Sequence, residues 1–141
     1  MLVRLMYASR AALPMDQEEL NAILRKSQAN NPARGITGVL CFSGGLFLQV
    51  LEGGRSNVNQ LYQHINRDAR HTDVLLLAYE EISERRFANW AMGLVNLARL
   101  NPAVLLKYSE TAALDPYAVS GQATVKLFDE LLATAAIMGQ S

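Results

Sequence analysis

Residues 35–54, GITGVLCFSGGLFLQVLEGG, constrain the fold more than any other stretch of the chain. Two apolar runs rich in β-formers flank Ser43-Gly44-Gly45, and a Gly pair between such runs signals a tight hairpin turn. A second pair, Gly53-Gly54, closes the second run. Strand alternation puts Phe47, Gln49 and Leu51 on one face and Leu46, Leu48 and Val50 on the other. Both faces read as buried, so Gln49 leaves water. A buried amide without partners costs about 1–3 kcal/mol. Its partners must come from elsewhere in the chain.

The segments around the hairpin supply a framework. Residues 2–9 alternate as a strand, with Val3, Leu5 and Tyr7 on one side and Leu2, Arg4 and Met6 on the other. Asp16 with Glu19 has capping-box spacing and opens a helix whose stripe is Leu20, Ile23, Leu24 and Ser27. Pro32 disfavours helical geometry at Asn31, so the helix is predicted to end near Asn30, presenting two adjacent amides. Ser56 is predicted to cap a second helix with the stripe Val58, Leu61, Tyr62 and Ile65, running out at NRDARH. DVLLLAYEEI reads as a fourth strand, central or well covered because its apolar residues are consecutive. SERRFANW reads as a turn and AMGLVNL as a shorter fifth strand. The order β-α-β-β-α-β plus one strand matches the α+β, ferredoxin-like arrangement, with two helices on one face of a sheet. Further on, Asn101-Pro102 caps a helix, and a longer one is predicted from about Ser120 to Met138 with Val125, Phe128, Leu131, Leu132 and Ala135 apolar. The expected organisation is one domain over residues 1–97 and a C-terminal helical extension over 98–141.

Composition narrows the function classes. A chain of 141 residues, half of them hydrophobic, can bury a core without disulfides or metals. Acidic and basic residues balance at 13 each, giving no electrostatic reason to expect nucleic acid or an anionic membrane. Arg4 interrupts the apolar start, a poor signal peptide, and no run is long enough for a membrane span. A single cysteine, Cys41, points to a reducing compartment, so a cytoplasmic protein is expected. There is no Walker loop and no G-x-G-x-x-G after a strand. His64 and His71, seven apart with one cysteine, lack metal spacing, and no nucleophile–base set is suggested. Cys41 in an apolar strand reads as an inert core thiol. The chain is not expected to be an enzyme.

What remains is a set of polar groups where a core should be apolar. Tyr7 and Gln49 sit on apolar strand faces, Asn30 and Asn31 end the first helix, and Asp68, Arg70 and His71 follow the second. If both helices pack on the face bearing Tyr7 and Gln49, these groups line one cleft. Such a cleft suits a planar heteroaromatic ligand with donors and acceptors along an edge. Singly, each has a plain reading: a core tyrosine, a backbone-paired glutamine, helix-stop asparagines, a solvated turn.

Together the blocks VRLMYASRA, AILRKSQANNPARGITGVLCFSGGLFLQVLEG, INRDARH and RRFANWAMG resemble, in order, the signature blocks of BLUF domains, blue-light sensors that use FAD. The tail, including LLKYSE, resembles short BLUF proteins without an effector domain of their own. The resemblance implies FAD, with FMN or riboflavin as alternatives, held between the two helices. It implies Ile23 and Ile65 on opposite ring faces, Asn31 on the pyrimidine edge, and Asn30, Asp68, Arg70 and His71 lining the site. Ser27 and Phe47 match positions near the ring. At His64 the chain departs from family members with a longer basic residue near the phosphates, so no phosphate contact is assigned. Tyr7 and Gln49 match the photoactive pair, in which the tyrosine yields an electron and a proton and the amide rearranges. The result is a small red shift without adduct or turnover. Trp90 and Met92 match output positions, and the resemblance leaves open which of them packs beside Gln49. Implied partners are further copies of the chain and a separate effector, such as a cyclic-dinucleotide enzyme or a response regulator. Leu105, Leu106, Phe128 and Leu131 of the tail are the expected contact surface. A redox flavoenzyme would need a nicotinamide or substrate site. An RNA-binding ferredoxin-like domain would need aromatics on an open, basic sheet face.

Overall fold

The computed structural model describes residues 1–95, 101–134 and 137–138. Its elements are β1 (Leu2–Ala11), α1 (Gln17–Arg34), β2 (Thr37–Ser43), β3 (Leu46–Gly54), α2 (Arg55–Arg67), β4 (His71–Ile82), β5 (Gly93–Val95), α3 (Pro102–Tyr108), α4 (Gly121–Thr134) and β6 (Ile137–Met138). They form a sheet of order β4-β1-β3-β2-β5-β6. Among the described residues only the β2–β5 pairing is parallel. The first four strands in the order 4-1-3-2, with crossover helices α1 and α2, make the ferredoxin-like core expected from the sequence.

The hairpin forms as its sequence dictates. Gly44 and Gly45 take φ of 59° and 79°, the paired positive values of a type I′ turn, which matches the twist of β2 and β3. Asp16 caps α1, its carboxylate accepting from the Glu19 N–H at 2.8 Å. The helix does not stop at Asn30. It continues through Pro32 to Arg34, because a proline in the last turn removes one N–H but leaves the final carbonyls available. Those are taken up by the chain beyond: Ile36 N–H donates to Asn31 O at 3.0 Å, and Gly35, at φ 63°, closes the C-cap. At α2 the N-cap is Gly54 rather than Ser56, which lies inside the first turn.

Two cores lie on opposite faces of the sheet. Val3, Leu5, Tyr7, Phe47 and Leu51 meet Leu20 and Leu24 of α1 and Val58 of α2 on one face. Met6, Ala8, Leu48, Val50 and Cys41 meet Phe87 and Phe128 on the other. The alternation read from β1 and β3 is therefore the division between the cores. Burial pushes the Cys41 thiol up to about 12, which keeps it protonated and unreactive.

Three further expectations are corrected. β4 is an edge strand, not a central one, and leaves Leu75 and Leu76 39% and 47% exposed. Consecutive apolar residues do not require two covered faces when the connectivity sends the strand to the rim. The long C-terminal helix ends at Thr134, and Met138 instead pairs with Leu94 in β6; Ala135 lies outside the described residues. Of the tail residues expected as a contact surface, Leu105, Phe128 and Leu131 are buried within the chain, and only Leu106 is exposed. Phe128 covers the second sheet face, while Leu105, Leu127 and Leu131 hold α3 to α4. The position of the boundary near residue 97 lies outside the described residues.

Candidate functional site

α1 and α2 cross the first sheet face without closing over its middle. The cleft between them is lined by Ile23, Ser27, Asn30 and Asn31 of α1 and by Leu61 and Ile65 of α2. Tyr7, Leu40, Phe47 and Gln49 form its floor, and Asp68, Arg70 and His71 flank it from the turn after α2. Its empty volume, open mouth included, is about 900 Å³.

Register creates the centre of this site. Tyr7 of β1 lies directly opposite Gln49 of β3, so both side chains rise from the same face at the same level. The Tyr7 hydroxyl donates to Gln49 Oε1. Gln49 Nε2 in turn donates to Met92 Sδ at 3.2 Å. The amide is thus bonded on both ends, on one of them only by a weak thioether acceptor. Met92 reaches it because β5 runs parallel to β2, which carries Leu40 opposite Gln49. Burial, with Tyr62 and Asp68 nearby, raises the Tyr7 phenol well above its ordinary value. Tyr7 therefore stays protonated, and an electron can leave it favourably only if its proton moves too.

The turn after α2 is internally bonded. Asp68 accepts from the Arg70 backbone N–H at 2.9 Å and from its guanidinium at 2.6 Å. These bonds lower the Asp68 carboxyl to about 2. The His71 ring stands 4.8 Å from Phe47, and its Nδ1 is 2.8 Å from Ser9 Oγ. Burial lowers its pKa, with the nearby Asp68 charge opposing, so the ring is neutral near pH 7. On α1, buried Asn31 donates through Nδ2 to Ala91 O at 2.7 Å, which leaves its second N–H and its carbonyl oxygen for other partners. Asn30 is exposed at the rim.

Every residue assigned to cofactor binding from the sequence lines this cleft, and Tyr7 and Met92 join them. Trp90 does not. It is half-buried against the second core, and its indole N–H makes no hydrogen bond among the described residues. Met92 is the output position that touches Gln49. Sequence reasoning missed Ser9, Lys26, Arg34 and Leu40. The signal for Ser9 was its place on the Tyr7 side of β1, and for Arg34 its place on the helical stripe running from Ile23 through Ser27 and Asn30.

A family model described as sensors of blue-light using FAD, BLUF, matches residues 2–93. The chain belongs to the BLUF family. Among curated relatives, "Photoactivated adenylate cyclase subunit beta" of Euglena longa is 40% identical over 92 residues, 64% of this chain and 11% of the relative. The chain thus spans about a tenth of the length of that relative. Two solved BLUF-type structures align over nearly the whole chain. A dark-state structure of BlrB is 33% identical with a TM-score of 0.77, covering 94% of this chain and 95% of BlrB. BlsA in its photo-activated state is 28% identical with a TM-score of 0.84, covering 100% of this chain and 99% of BlsA.

FAD, the BLUF chromophore, fits the residues present. Ile23 and Ile65 offer half-buried apolar surface from opposing helices, as a planar ring requires. The amides Gln49, Asn30 and Asn31 can both donate and accept, which suits a ring edge of alternating carbonyl and N–H groups. No helix among the described residues is long and apolar enough to cross a membrane.

Proposed function

We propose that this chain is a blue-light receptor whose switch is the Tyr7–Gln49–Met92 chain of hydrogen bonds, with FAD held in the α1–α2 cleft. The observation that carries the reading is that buried Gln49 is bonded at Oε1 by Tyr7 and at Nε2 by Met92. When bound, FAD would supply a photo-oxidant for Tyr7 and, once reduced, a reductant for the tyrosyl radical so formed. Tyr7 holds the proton that must accompany that electron, and Gln49 Oε1 is positioned to receive it. On return the amide has a second arrangement open to it, by rotation or tautomerisation, with a different set of bonds to Tyr7 and Met92. Asn31 and Asn30 orient the ring, Ile23 and Ile65 clamp it, and Ser27, Phe47, Asp68, Arg70 and His71 complete the wall.

Lys26, Arg34 and His64 stand at the cleft, and Arg34, His64 and Arg67 line the adjoining groove, a basic rim suited to a phosphate-bearing tail. This favours FAD or FMN over riboflavin. Residues 1–97 form the sensor unit, and the extension beyond it carries α3 and α4. The chain performs no turnover of its own, and it signals in the cytoplasm to a separate effector or to further copies of itself. A cyclic-nucleotide or cyclic-dinucleotide enzyme or a response regulator is the effector class, supported by the relative named as a photoactivated adenylate cyclase.

The test is optical. The purified chain, loaded with FAD, should be yellow and show a small red shift under blue light that reverses in the dark without bleaching. Tyr7→Phe and Gln49→Leu should still bind flavin yet lose that shift. A colourless protein that takes up no flavin sinks the reading, an unaltered photocycle in either variant sinks the roles given to the pair, and lasting bleaching with NADH indicates a redox enzyme.

A further inference from the structure

Glu52 lies three residues beyond Gln49 on β3, and its side chain is 0% exposed. It is on the opposite face from the cleft, so it belongs to no part of the chromophore site. Its carboxylate nevertheless collects an unusual set of donors. Oε1 accepts from the Phe87 N–H at 2.8 Å, and Oε2 accepts from the Arg86 N–H at 3.0 Å. Arg4 of β1 completes the set through Nε at 2.8 Å, while also reaching Glu80 of β4 at 3.1 Å. Arg86 and Phe87 belong to the β4–β5 connection, the segment that ends in Met92. A main-chain amide pair with no strand to pair with is thus taken up by both oxygens of one carboxylate, and a neutral amide side chain could satisfy only one of them.

The other end of the same segment is held from the cleft side. Asn31 Nδ2 donates to Ala91 O at 2.7 Å, Gln28 Nε2 to Met92 O at 3.0 Å, and the Gly38 N–H to Trp90 O at 3.0 Å. The connection is therefore fixed at both ends, and the far anchor is on the strand that carries the glutamine. We propose that Glu52 is a positioning residue for the switch: by tying residues 86–87 to β3 it sets the reach of Met92 Sδ to Gln49 Nε2. This rests on the receptor reading above. Strand β3 then carries both members of the device, the amide that changes its bonds and the carboxylate that holds the segment sensing that change.

The test uses Glu52→Gln, which keeps the side-chain volume, in the full flavin-loaded chain. Dark recovery of the red-shifted state should change about fivefold or more, the size of a coupling between interacting groups. In a Met92→Leu background the same substitution should leave recovery unaltered. Equal effects in both backgrounds, or none in the parent, overturn the proposal. Trp90, the chain's single tryptophan, lies within the held segment and reports on it without photochemistry. Its emission should move to longer wavelength and quench more readily in Glu52→Gln, and unchanged emission overturns the proposal. If the parent chain shows no light response, the receptor reading fails, while the Trp90 measurement still judges the anchor. If Glu52→Gln does not fold, Arg86→Pro removes one loop donor together with the Arg86–Asp129 ion pair, leaves the carboxylate and its Arg4 partner in place, and is held to the same outcomes, with Arg86→Ala as the control for the lost ion pair.

Discussion

Tyr7 and Gln49 meet because two strands pair in one register and not in the next. A slip of one residue would turn Gln49 to the opposite face, away from Tyr7. Alternation placed each of the two on an apolar strand face, while their sharing one cleft was an expectation that depended on both helices packing there. The contacts of Gln49 with Met92 and of His71 with Ser9 were not, since each joins elements whose relative position no local pattern encodes. His71 leads to a prediction about acid. Its pKa is lowered in the folded state, so neutral imidazole is favoured, and its stabilising contribution is complete above the ordinary 6.5. That contribution is lost as pH falls through the folded value. The melting temperature should drop as pH falls below about 6.5, and His71→Gln should flatten this part of the curve. Asp68 acts in a separate window. Its carboxyl is lowered from 3.8 to about 2, so its contribution persists until pH falls below about 4 and vanishes near 2. Asp68→Asn should remove that acid limb of the melting curve and, by taking away the charge that raises His71, deepen the histidine limb.

Among the elements, the ones the sequence placed well were those with a local cause. The Gly44-Gly45 turn and the Asp16 cap each follow from the conformational preferences of a few residues. Asp16→Ala should cost about 1 kcal/mol in chemical denaturation without altering the cleft. The misplaced elements had causes outside themselves. α1 outran Pro32 because its final carbonyls found donors in Gly35 and Ile36, and β4 went to the rim because crossover connectivity, not hydrophobicity, sets strand order. α4 covers part of the second sheet face. Phe128 is 1% exposed between the helix and the second sheet face, so Phe128→Ala should lose about 3–5 kcal/mol of stability by denaturant titration. Flavin uptake by the surviving folded fraction should be unchanged, because the side chain lies across the sheet from the cleft.

At the scale of the whole molecule, the sheet is covered differently on its two sides. α1 and α2 span one face with a cleft between them, and α4 seals part of the other. A helical tail was legible in the sequence, but the side it would cover was not. An amphipathic stripe tells that a helix has a partner, not which face the partner is. Reading Phe128 and Leu131 as an outward surface was the cost of that ambiguity. A chain cut after residue 97 should therefore expose Met6, Leu48, Val50 and Phe87, and should self-associate in sedimentation or light scattering where the full chain does so less.

Gln49 and Val50 are neighbours in sequence that look into different rooms. The first faces the cleft and the second touches the core beneath α4. Between them lies a single peptide unit, about 3.3 Å of strand. Under the proposed reading, news of an absorbed photon would need no lever arm and no hinge to cross the sheet. A reader on the α4 side would then respond to a nudge of atomic size, passed through a wall one residue thick.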